Sequence, residues 1–293
     1  MHPAPSVILF TVLSGLGFGV LIFLDAGLFR PVGLGALAAF GLGYLLAAGG
    51  LVASTFHLGN PQRALLAFTQ WRTSWLSREA WASTAALLAS LPVAWGANGG
   101  VKPGLWGLVA AALCLATVFA TSMIYAQLKT VPRWNHWTTP ALYLGFALAG
   151  GAILAGTGAL GAVLCLILGA LMLFTFRSGD RRFAEAGASL GSATGLGPLG
   201  EVRVFAPAHT ASNYVMREMV HVVGRKHVHK LRIVALAGAS LLPALILVTL
   251  PAGLPAVTLA LVPHLIGAFA QRWLFFAEAE HVVSHYYGRP EVA

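Results

Sequence analysis

Residues 54–79 read STFHLGNPQRALLAFTQWRTSWLSRE, a polar interlude between two runs of almost uninterrupted apolar residues. His57, Arg63, Arg72, Arg78 and Glu79 gather here in a chain of 293 residues, 58% of them hydrophobic and 9% charged. A soluble domain carries roughly a quarter charged residues. With so little polar surface the chain needs a bilayer as its solvent, and the interlude becomes a connection at one membrane face. Gly59-Asn60-Pro61 breaks the apolar run before it, and Trp71 and Trp75 suit an interface. Ser77 is the expected N-cap of the next span, which would put Glu79 in that helix's first turn.

Outward from this stretch, runs of about 20 apolar residues, the length that crosses a bilayer, fall near 6–28, 32–56, 79–97, 104–127, 139–157, 159–177, 231–250 and 254–277. The expectation is an all-α integral membrane protein, a bundle of eight transmembrane helices forming a single domain over residues 1–293. GTGALG (Gly156–Gly161) leaves room only for a tight hairpin between spans five and six. Gly and Ala recur within the spans, as in GLGALAAFGLGYLLAAGG, which suits close helix contact in lipid. No fixed-period repeat and no inverted duplication is visible. Cys114 and Cys165 lie inside apolar runs without metal-site spacing and read as small buried hydrophobes. MHPAPSVILF lacks the basic start and cleavage site of a secretory signal, so the first run reads as a retained helix.

Of the eighteen Lys and Arg, only Arg30 and Lys102 follow spans one, three, five and seven; the other sixteen lie on the opposite side. Setting aside the nine from Arg177 to Arg232 leaves seven against two. Both termini and the long loops are therefore expected in the cytoplasm, with the protein in the inner membrane. The loop Ser178 to Lys230 is the one sizeable extramembrane segment. GASLGSATGLGPLG reads as flexible, and NYVMREMVHVVGRKHVHKLR as a basic helix entering span seven. Neither is a domain with its own core, so chemistry on a soluble substrate falls to partner chains. The formal charge of +9 is interleaved with spans and fits lipid headgroups and protein partners, not nucleic acid.

Ionisable groups at membrane depth are functional candidates. A histidine and a carboxylate at one face, beside aromatic rings, suit quinone chemistry: an imidazole hydrogen-bonds a quinone oxygen and exchanges protons near neutral pH, and a carboxylate relays protons to bulk water. The competing reading is a capping histidine with arginines that only fix topology.

HLGNPQRA (His57–Ala64) followed by SWLSRE (Ser74–Glu79) resembles the signature of membrane anchor subunits of the dimethyl sulfoxide reductase family. YAQLKTVPRWNHWTTP (Tyr125–Pro140) is a second such stretch, and the eight-span layout extends the resemblance over nearly the whole chain. The resemblance implies an anchor that holds an iron–sulfur subunit and a molybdopterin catalytic subunit on the membrane and exchanges electrons with ubiquinone or menaquinone. Molybdopterin guanine dinucleotide and the iron–sulfur clusters would sit in those partners, and haem is not expected. It also implies quinone binding at His57, with Arg63, Arg78 and Trp75 beside it, and proton transfer at Glu79. ASNYVMREMVHVVGRKHVHKLR (211–232) and RWLFFAEAEHVVSHYYG (272–288) resemble the branch that includes anchors of sulfite-oxidising enzymes, whose catalytic subunits face the cytoplasm. An S- or N-oxide reductase anchor oxidising quinol is the alternative within the family. A secondary transporter and a purely structural anchor are the alternatives outside this chemistry.

Other candidates are weaker. Glu278, His281 and His285 would share a helix face if the last span continued, yet further metal ligands are not evident. His221, His227 and His229 do not share one. His264 follows Pro263 and reads as a partner for a carbonyl that the proline frees, a quinone-pocket wall, or a haem ligand. Asp25 is a snorkelling carboxylate or an element of a proton path. Arg133, Trp134, His136 and Trp137 are an interfacial belt, a wall of the quinone site, or a contact for the iron–sulfur partner.

Overall fold

The computed structural model describes residues 2–206 and 227–285, leaving out the side chain of His57, and its described residues form helices and connections without strands. The helices are α1 (Pro5–Asp25), α2 (Leu34–Ala53), α3 (Trp75–Asn98), α4 (Gly104–Ala126), α5 (Thr138–Leu154), α6 (Ala159–Glu185), the short α7 (Leu190–Thr194), α8 (Val228–Thr249) and α9 (Leu254–Ala277). Seven of them are long and apolar enough to cross a membrane; α5 is apolar but has 17 residues.

Three boundaries differ from expectation for local reasons. Ser74, not Ser77, caps α3: its backbone is extended (φ −105°, ψ 125°) and its hydroxyl accepts from the Ser77 amide at 3.5 Å. Glu79 therefore lies in the second turn of the helix. α6 runs on to Glu185, past the apolar run, because Arg177 to Glu185 contains good helix formers and an Arg182–Glu185 pair at 3.6 Å. The glycine-rich segment beyond it is not featureless: Ser189 and Ser192 form a reciprocal cap at the start of α7. Residues 207–226, and with them His221 and most of the expected basic helix, lie outside the described residues.

α1 is the centre of the bundle, flanked by α2, α4 and α5. Lipid tails are as apolar as leucine, so burying hydrocarbon does not drive helices together here, and backbone proximity takes over. A Cβ on Gly17 would run into the backbone of Gly43 and Ala47 on α2, and one on Gly19 into Ala147 on α5. Polar pairs fix the register. Ser90 on α3 donates to Asp25 Oδ2 at 2.6 Å, and Tyr44 on α2 donates to the Leu87 carbonyl at 2.6 Å. Asp25 is 0% exposed, so it does not snorkel to the surface.

α8 carries a π-helical turn at Ala237–Leu241, just before Pro243. Proline has no amide hydrogen, so the carbonyl four residues earlier, that of Ala239, loses its α-helical donor. His264 Nδ1 of α9 sits 2.9 Å from that oxygen. His264 thus serves a carbonyl freed by Pro243 of the neighbouring helix, not by Pro263 of its own.

Candidate functional site

Alternating helix directions bring residues 54–74, the 127–137 connection, and the C-terminal ends of α6 and α9 to one end of the bundle. Contacts join the last three: the Asn135 side chain donates to the Ala126 carbonyl at 2.6 Å, Arg182 Nη2 to the Asn135 carbonyl at 3.3 Å, and the Val282 amide to the Thr130 carbonyl at 3.0 Å; Ile124 and Tyr125 at the end of α4 line one cleft with residues of 54–74.

After α2 the chain makes a 3-10 turn over Ser54–His57 and a second 3-10 segment over Pro61–Phe68. Between this strap and the helices lies a cleft of about 710 Å³. Phe10, Leu51, Leu58, Leu65 and Ile124 give it an apolar lining, while Asn60, Arg63, Gln70, Ser77 and Glu79 supply the polar wall. The space and lining fit an apolar molecule with a polar head. Thr55 and Leu58, on either side of His57, both line it.

Glu79 is 3% exposed, and Thr121 of α4 donates a hydrogen bond to its Oε1. The expected surface carboxylate is instead a buried one, open to the cleft rather than to bulk water. Arg63 lines the same cleft, whereas Arg78 and Trp75 are not on its wall. Arg78 donates to the carbonyls of Trp71 (3.1 Å) and Arg72 (2.6 Å) and lies 4.4 Å over the Trp75 ring. Trp75 in turn meets Phe119 edge-on. Arg78 fastens the end of the strap to α3, and Trp75 lies between Arg78 and Phe119 of α4.

Behind Glu79 is a second, interior compartment lined by Thr11, Ser14, Thr121, Tyr143, His264 and Arg272, among others. The charge pattern places Arg272 at the membrane face, but it is 2% exposed and its guanidinium lies 3.8 Å over the Tyr143 ring. Its Nε and Nη1, like the Tyr143 hydroxyl, have no hydrogen-bond partner among the described residues. An arginine inside an expected span is the signal for such a site; its place near the span's end hides it.

Arg133, Asp180, Arg232 and Glu278 form an alternating ion-pair network. Arg133 bonds Asp180 (3.2 Å) and Glu278; Arg232 reaches Asp180 at 2.5 Å and Glu278 at 2.7 Å. It ties α6, α8, the end of α9 and the 127–137 connection together. Trp134 is buried, stacks on Phe275 and donates to that residue's carbonyl at 2.8 Å, so it belongs to the core and not to an interfacial belt. Trp137 is the exposed member. Burial, and then the positive charge of Arg182, hold His136 below the ordinary imidazole range. α9 ends at Ala277 and His285 falls in a separate 3-10 turn, so Glu278, His281 and His285 share no helix face. Among the described residues no three His, Cys, Asp or Glu side chains are placed to hold a metal.

Residues 1–190 match the family described as DMSO reductase anchor subunit (DmsC). The chain belongs to this anchor family. It is also 29% identical to a sulfite dehydrogenase subunit of Allochromatium vinosum, a similarity covering 98% of this chain and 99% of that protein. No solved structure is significantly similar to it. The family and the apolar helices make it a multi-pass membrane anchor, and the two motifs that carry the resemblance wall the cleft and build the connection beside it.

Proposed function

We propose that this anchor binds quinone in the 54–84 cleft and passes electrons between an iron–sulfur partner and the membrane quinone pool. The observation that carries the reading is the cleft itself: an apolar space of about 710 Å³ at the charged end, with a buried carboxylate on its wall. A bound quinone supplies a two-electron, two-proton couple. Glu79 holds and moves a proton at Oε1, Thr121 steadies its carboxylate form, and Arg63 faces the polar head. His57, in the turn between Thr55 and Leu58, is assigned the second hydrogen bond to that head. Arg78, lying over Trp75, supports the wall by holding the end of the strap in place.

All eight apolar helices span the inner membrane in this reading, α5 included, with both termini and the cleft on the cytoplasmic side. The basic residues support that orientation: moving buried Arg272 out of the count still leaves fifteen against two. A molybdopterin subunit with its guanine dinucleotide cofactor and a subunit carrying iron–sulfur clusters dock there. The near full-length similarity to a sulfite dehydrogenase subunit favours sulfite as the source of electrons. The family description favours a second direction, quinol oxidation in support of an S-oxide reductase.

Turnover of the purified complex with sulfite plus quinone, and with quinol plus dimethyl sulfoxide, tests this. Sulfite-dependent quinone reduction is expected. Quinol oxidation by dimethyl sulfoxide alone would keep the cleft and overturn the substrate and direction. Quinone-independent turnover in both assays would overturn the site.

A further inference from the structure

At the end of the bundle opposite the cleft, two connections close on a pocket of about 270 Å³. Leu24, Phe29, Phe40 and Val101 give it an apolar wall, and Arg30 and Lys102 are the charged residues on it. One cation comes from the connection after α1 and the other from the connection after α3, yet both line one space. The fold pins these two connections. The Gly33 amide donates to the Asn98 carbonyl at 3.2 Å. Gly27, at φ +69°, lies so near Pro103 that a Cβ there would meet its ring at 3.4 Å.

Nothing in the described protein answers the two charges. No carboxylate lines the pocket, and neither cation forms an ion pair among the described residues. Asp25, at the end of α1, is 0% exposed and accepts from Ser90 in the interior. α2 and α4 begin at Leu34 and Gly104, just beyond the wall residues Val32 and Pro103, so their N-termini add to the positive potential here. Val32, Leu34, Val101 and Leu105 leave large apolar surfaces exposed at the same end. An occupant suited to both features carries an anionic head on an apolar body.

We propose that this pocket binds the phosphate head of an anionic phospholipid from the leaflet at that end. Phosphate oxygens answer Arg30 and Lys102 together, and the acyl chains cover the exposed apolar side chains. The same wall discriminates among lipids. The ammonium of a zwitterionic head would meet two like charges and find no carboxylate to pair with, so the anionic head is preferred. This site is independent of the quinone reading.

The test is native mass spectrometry of the purified complex, titrated in detergent with phosphatidylglycerol or with phosphatidylethanolamine of the same acyl chains. The parental complex should retain one more phosphatidylglycerol than Arg30→Gln/Lys102→Gln. At about 1 kcal/mol for each cation near anionic lipid, affinity at this site should fall roughly 30-fold in that double variant. Arg30→Lys/Lys102→Arg keeps both charges and should keep the lipid, and it also serves if the Gln variant does not assemble. Lys129→Gln/Arg177→Gln removes two exposed cations from the other end and should leave this lipid bound. Equal loss in that control would make the binding a general charge effect and overturn the proposal. Equal retention of phosphatidylethanolamine, or displacement of the lipid by excess inorganic phosphate, would also overturn it. So would a doubled complex that depends on Arg30 and Lys102, which would give the pocket to a second copy of the chain.

Discussion

At the scale of single residues, the proposed function concentrates on Glu79. A buried carboxylate with one hydroxyl donor and one open side is built to exchange a proton with what occupies the cleft. Glu79→Gln keeps size and polarity but removes that capacity. Quinone-linked turnover should fall by about 100-fold or more, with partner subunits still co-purifying. A near-parental rate in an assembled complex would remove Glu79 from the chemistry. The carboxylate is legible in the sequence because it stands in a polar interlude between apolar runs. Its burial is not, since that depends on Ser74 winning the cap over Ser77 and on Thr121, which sits unremarkably in an apolar span. Arg272 is visible as a charge but reads as a surface residue, because a linear sequence does not show which way a residue near a span's end is turned.

At the scale of elements, the apolar runs announce the helices well, since a single apolar run that crosses lipid satisfies its backbone groups by forming a helix. What they cannot announce are features owned by two helices at once. The π-helical turn of α8 and the histidine of α9 are one such feature, because Pro243 strips a donor from Ala239 and His264 replaces it. His264→Phe fills nearly the same space yet leaves that carbonyl unpaired. It should lower the stability of the complex in detergent by about 1 kcal/mol, the usual scale for interhelical hydrogen bonds in membranes. The readout is the thermal unfolding midpoint, and quinone turnover measured well below that midpoint should change little. Loss of turnover at full stability would move His264 from a structural role into the quinone site.

At the scale of the whole molecule, the question is which side of the membrane carries the cleft. The cleft, the ion-pair network and most of the described basic residues share one end of the bundle, while Arg30 and Lys102 mark the other. The proposed orientation, which follows the positive-inside tendency, has the crowded end in the cytoplasm. Side-chain geometry weakens part of that asymmetry: Arg133 and Arg232 are neutralised by Asp180 and Glu278, and Arg272 is interior. That end still offers exposed Arg63, Arg72, Lys129 and Arg177 against exposed Arg30 and Lys102 opposite. Native Cys114 and Cys165 are both buried, so an introduced cysteine reports its own position cleanly. In intact cells a membrane-impermeant maleimide should label Lys102→Cys and leave Arg72→Cys untouched until the cells are permeabilised. The reverse pattern would turn the bundle over, place the cleft and its iron–sulfur partner outside the cytoplasm, and favour the quinol-oxidising reductase over sulfite oxidation. Orientation and substrate are thus tied together by the same end of the same bundle.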